Sequence, residues 1–133
     1  MQMTTYYSVP SSIDGLRVVQ DPKLVITSVR NHTHCCRYEF GESLYPILES
    51  GQFCELAPIT NKIKVGDIVF CKVNGHYMTH MVDLVNESSG YCRIVDTSGN
   101  IFGWTKEIFA IATPIPYKMA ENMAFVFDSS IYE

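Results

Sequence analysis

No stretch of this chain of 133 residues approaches the run of about 20 apolar residues that a membrane-spanning helix needs. Its start, MQMTTYYSVPSS, has neither the basic opening nor the apolar middle of a secretory leader. We therefore expect no membrane partner and a cytoplasmic home. An excess of positive charge is missing too: ten Lys and Arg face fourteen Asp and Glu, a formal net charge of -4, which argues against nucleic acid as a partner. The neighbours His32, His34, Cys35 and Cys36 are zinc-type donors, but they show no Cys-x-x-Cys or His-x-x-x-His spacing. Adjacent residues of a strand also point to opposite faces, and a fourth ligand would have to come from a distance. No metal and no other cofactor is expected. The five cysteines are an odd count in a chain without a leader, so free thiols in a reducing compartment are expected.

Helical signals are also scarce. Few windows carry apolar residues at three- and four-residue spacing without a Gly, Pro or β-branched interruption, so helical turns are expected only at Pro46–Glu49, Thr105–Phe109 and Tyr117–Met123. What the chain does have is apolar content, 47% with 12% aromatic, enough for one self-supporting domain over residues 1–133. Strand patterning fills it. Leu16–Val19 and Leu24–Val29 are β-branched runs on either side of an Asp21-Pro22 turn, followed by Cys35–Phe40, Phe53–Leu56, Ile68–Val73, Tyr77–Val85, Tyr91–Val95 and Ile101–Trp104, with Ala124–Phe127 as a closing strand. Asn74-Gly75 is a strong hairpin signal and Ser98-Gly99-Asn100 marks a second tight turn. The expected fold is mostly β: a single domain with a coiled antiparallel sheet, or a partly open small barrel, and few short helices. The lone Trp104 is expected in its core.

Three features stand in an order that suggests chemistry. A Gly-x-Ser-x-x-Pro turn, Gly41, Ser43 and Pro46, comes first; the strand start Val65-Gly66-Asp67-Ile68-Val69 follows; His80 lies in the next hairpin. A serine becomes a nucleophile when a fixed turn exposes its hydroxyl and a neighbouring base takes its proton. His80 is the candidate base, because imidazole titrates near pH ~6.5. On a strand, Met78, His80 and Val82 share one face. Asp96, ahead of Thr97-Ser98-Gly99, has the sequence of an Asx turn.

The stretches GESLYPILESGQFCELAPITNKIKVGDIVFCKVNGHYMTHMVDLV and YCRIVDTSGNIFGWTKEIFAIA, within a match covering roughly residues 38–112, resemble the superfamily of signal peptidase I and the LexA-type peptidase domains. The likeness is to its short, soluble bacterial and phage-encoded members. Residues 1–37 would then be N-terminal strands and residues 113–133 a C-terminal extension. The resemblance implies a serine endopeptidase: Ser43 as nucleophile, His80 as general base in the position that is lysine in bacterial signal peptidases, and Asp96 as the acid behind it. It implies a substrate and oxyanion region at Gly41, Glu42, Leu44 and Pro46, with the backbone N–H of Ser43 as an oxyanion donor. Leu44 stands where the family has methionine, Gly51-Gln52 where it has Gly-Asp, and Asp96 lacks the preceding glycine. A peptide or protein partner is expected to lie extended along the edge of the Cys36–Phe40 strand. The missing anchor argues against preprotein processing, and residues 1–37 are too short for a DNA-binding domain with a linker. The alternative is a catalytically inactive, phage-encoded module of the same fold that binds a protein.

Overall fold

A computed structural model of the chain describes residues 11–39 and 52–115. Ser12–Ile13 (β1) and Leu16–Arg17 (β2) make a small hairpin, and Pro22–Arg30 forms helix α1. Seven strands follow: Cys35–Glu39 (β3), Gln52–Ala57 (β4), Ile68–Val73 (β5), His76–Val85 (β6), Cys92–Val95 (β7), Ile101–Thr105 (β8) and Ile108–Pro114 (β9). They form one antiparallel sheet in the order β3-β4-β9-β5-β6-β7-β8. The protein is mostly β, as its patterning predicts, and the sheet is coiled without closing into a barrel among the described residues.

Alternation along the strands gives the sheet two faces. On one, Cys35, Cys54, Leu56, Phe70, Ala110 and Ala112 pack with Val25 and Val29 of α1. On the other, Val69, Cys71, Val73, Val82, Cys92 and Ile94 form a second cluster, with Ile13, Cys36, Phe53 and Ile115 a third. Cys35 and Cys36 thus point to opposite faces, and all five thiols are free. At Asn74-Gly75 both residues take positive φ, 50° and 85°, so the β5–β6 hairpin turns as the sequence predicts. Beyond it, β8 bends back toward the end of β5: Asn74 Nδ2 donates to the Phe102 carbonyl at 3.2 Å, and Thr105 Oγ1 donates to the Lys72 carbonyl at 2.7 Å. Gly103 permits this approach, since a Cβ there would lie 3.0 Å from Val73 Cγ1.

Two expectations are corrected. Leu24–Val29 is helical, and the first 37 residues are not all strands and loops. Asp21 is the N-cap, its carboxylate accepting from the Lys23 N–H at 2.9 Å, and Pro22 opens the first turn, where its missing N–H is no loss. Val25 and Val29, four residues apart, then share the buried face. Burial of that face and a capped start outweigh the β-branched composition. Thr105–Phe109 is not a helical turn: Thr105 ends β8, its hydroxyl accepts from the Glu107 N–H at 2.9 Å, and Ile108 begins β9. In β9, Ile111 opposes Val69, Ala110 opposes Phe70 and Ile108 opposes Cys71, so a bulge at Phe109 keeps Ile108 on its face. The turns expected at Pro46–Glu49 and Tyr117–Met123 and the strand at Ala124–Phe127 lie outside the described residues. Replacing the cap, Asp21→Ala, is expected to destabilise the protein by about 1 kcal/mol, read as a lower urea midpoint at unchanged slope; an unchanged midpoint would contradict the capping role.

Candidate functional site

Gly41, Glu42, Ser43, Leu44 and Pro46 lie outside the described residues, so the structure describes the frame around the Ser43 segment and not the segment. That frame is specific. Glu39, at the end of β3, and Gln52, at the start of β4, are paired across the sheet. The Glu39 carboxylate is buried, 7% exposed, and accepts from Thr79 Oγ1 at 2.8 Å, from Arg37 Nη1 at 3.1 and 3.2 Å, and from Cys54 Sγ at 3.4 Å. The Arg37 guanidinium also stacks over Phe70, and its Nε donates to the Gln20 carbonyl. Burial, reinforced by the neighbouring Glu39 charge, pushes the Cys54 thiol well above its ordinary pKa, so Cys54 is an S–H donor here and not a nucleophile. Thr79 belongs to β6, with β4, β9 and β5 between it and β3 in the sheet order. The hydrogen bond from Thr79 to Glu39 therefore closes the coil of the sheet, and it joins the stem of the Ser43 segment to the residue before His80.

His80 points to the face opposite Thr79, the one it shares with Met78 and Val82. Its ring stacks on Phe102, with centroids 4.3 Å apart and planes 19° from parallel. Burial pushes its pKa down to about 4, and the negative charge of Asp96 opposes that shift without reversing it. The imidazole is neutral at neutral pH, the form a general base requires. Met81 pairs with Val95, so continuing the antiparallel register sets His80 across from Asp96, and the two are electrostatic neighbours.

Asp96 also builds the turn. Its Oδ1 accepts from the Ser98 and Asn100 N–H groups at 2.9 Å each, and its Oδ2 from Asn100 Nδ2 at 2.9 Å. These bonds, that of the Asn100 side chain first, hold its carboxyl below the usual aspartate range. The turn-forming and the His80-facing readings of Asp96 are compatible, since each carboxylate oxygen has more than one lone pair.

Two other expectations concern the β3 edge and Trp104. β3 is an edge strand, but part of that edge is taken: Val18 bridges Cys36, the Val19 N–H donates to the Cys36 carbonyl at 2.8 Å, and the Gln20 amide bonds both polar groups of the Tyr38 main chain. The β3 side of Gln20 gave no signal in the sequence, because a lone polar residue in a loop has no periodicity. Trp104 is not core. It is 46% exposed, in a cross-strand row with Arg93 and Leu84, because β8 is a sheet edge with one face in solvent. Lys62 pairs with Glu87, Lys64 lies 3.8 Å from Asp67, and Lys72 sits over the Tyr77 ring. Comparisons of the chain with protein families, curated proteins and solved structures find no match.

The state of His80 is open to titration. An unfolded histidine titrates near pH ~6.5, so between about 6.5 and 4 the unfolded chain binds a proton the folded one refuses, and stability from this group falls as pH drops through that window. The imidazole carbon-bound protons are expected to titrate with a midpoint near pH 4 by NMR; a midpoint above 6 would contradict a desolvated His80.

Proposed function

We propose that this chain is a serine endopeptidase-like domain of the signal peptidase and LexA type, acting on a peptide bound in extended form. The observation that carries the reading is the Thr79 to Glu39 hydrogen bond. It ties the stem of the Ser43 segment to the strand of His80, and the four residues from Glu39 to Ser43 can span up to about 14 Å. In this reading the Ser43 hydroxyl attacks the peptide carbonyl, and its proton passes to the neutral imidazole of His80 and then to the departing amine. Asp96 across the strand stabilises the imidazolium formed in between. Phe102 fixes the plane of the ring by stacking, which reduces the reorganisation needed when the proton arrives. No metal or cofactor enters these steps.

A low imidazole pKa makes His80 a weaker base than a free histidine, and it also keeps His80 unprotonated in mildly acidic solution. Activity would therefore persist well below pH 6.

A second reading, the inactive protein-binding module, draws on the row Leu84, Arg93 and Trp104, where Leu84 is 44% exposed and Arg93 is held by Asp83 at 2.7 and 2.9 Å. Trp and Arg on an exposed sheet face are residue types that anchor protein interfaces. An alkyl fluorophosphonate separates the two readings. The peptidase reading expects an adduct on Ser43, abolished in Ser43→Ala and slowed about 100-fold or more in His80→Ala, with an acid limb near pH 4. The absence of any adduct on a folded protein contradicts it and favours the binding module.

A further inference from the structure

One side chain in this structure behaves as a piece of strand. Gln20 Oε1 accepts from the Tyr38 N–H at 2.6 Å, and Gln20 Nε2 donates to the Tyr38 carbonyl at 3.1 Å. A donor and an acceptor engaging both main-chain groups of one residue is what an added strand supplies at a sheet edge. Two residues earlier on β3 the same edge is met by main chain, through Val18 and Val19 at Cys36. The two contacts differ in anchorage. Val19 is buried in the cluster against α1, and the Gln20 carbonyl is held by Arg37 Nε at 3.3 Å, so the backbone here is fixed. The amide of Gln20 is half-buried and hangs on its own rotatable bonds, so it can leave Tyr38 without any backbone moving.

We propose that Gln20 is a built-in stand-in for a peptide ligand, and that an extended peptide backbone takes over the Tyr38 N–H and carbonyl when the Gln20 side chain swings away. The exchange replaces amide hydrogen bonds with amide hydrogen bonds, so it is close to neutral in itself. Gln20 lowers the apparent affinity for peptide by the fraction of time it occupies the edge. When no peptide is present, it protects an edge strand that would otherwise recruit another chain. Binding at Tyr38 does not require Ser43 chemistry; only the consequence of binding, delivery of a peptide to the segment that follows β3, rests on the peptidase reading.

The test uses the full chain, its Gln20→Ala and Gln20→Met variants, and one probe: an N-acetylated, C-amidated pentapeptide of alternating Thr and Val, titrated against the nitrogen-15-labelled protein. The Tyr38 amide resonance is expected to shift on titration in all three proteins, and both variants are expected to bind about fivefold more tightly than the parent. Gln20→Met keeps the length of the side chain while removing both hydrogen bonds, which separates loss of the amide from loss of packing. Equal affinity in the three proteins, no binding by any of them, or shifts that leave Tyr38 unmoved would overturn the proposal. A gain in peptide affinity in variants whose Ser43 takes no fluorophosphonate would sink the peptidase reading and leave this one standing.

Discussion

The buried carboxylate of Glu39 is the constraint on which the arrangement of this sheet depends. A carboxylate removed from water is tolerated only with an opposite charge and enough donors around it. Here they come from three strands: Arg37 on its own strand, Cys54 on the neighbour, and Thr79 from far along the sheet order. The first two would be satisfied by a flat pair of strands. Thr79 would not, because β4, β9 and β5 intervene. The coil of the sheet brings it in, and the same coil gives Phe70 the Arg37 guanidinium as a neighbour. Fold and candidate site are joined at this point, since the residue after Thr79 is His80 and the segment after Glu39 carries Ser43.

The opposite face holds His80, the candidate base. His80 is neutral because its partial burial against Phe102, where β8 folds back, lowers its pKa, and Gly103 is what permits that fold. Asp96 is fixed by the turn it caps, so the charge facing the imidazole has little freedom to move away. The candidate site thus joins an acid fixed by its turn, a partly buried imidazole and, from β3, a stem tied to β6 by the Thr79 hydrogen bond. Gln20 adds an edge that is closed by a side chain and not by a strand.

The parts legible in the sequence are those fixed by local chemistry. Asn74-Gly75 can adopt the positive φ that a tight hairpin demands, and the alternation from Met78 to Val82 assigns His80 its face. Helix α1 misleads because Val25, Ile26, Thr27 and Val29 favour strands by composition, whereas the signals that decide it, Asp21 and Pro22, also read as a turn. In β9, the bulge at Phe109 disguises the alternation. Arg37 and Glu39 alternate with Cys36 and Tyr38 as solvent-facing residues would; their burial follows only from the coil of the sheet. The contacts of Thr79 and Gln20 span 40 and 18 residues of sequence, and no local pattern announces them.

The most direct measurement is a double-mutant cycle across the coil, with Glu39→Leu, Thr79→Val and the pair compared by chemical denaturation. The hydrogen bond to a buried carboxylate predicts a coupling of about 1.5 kcal/mol or more between the two sites. Free energies that add to within about 0.5 kcal/mol would show that β3 and β6 are not held together there. The stem of the Ser43 segment would then have no tie to the strand of His80.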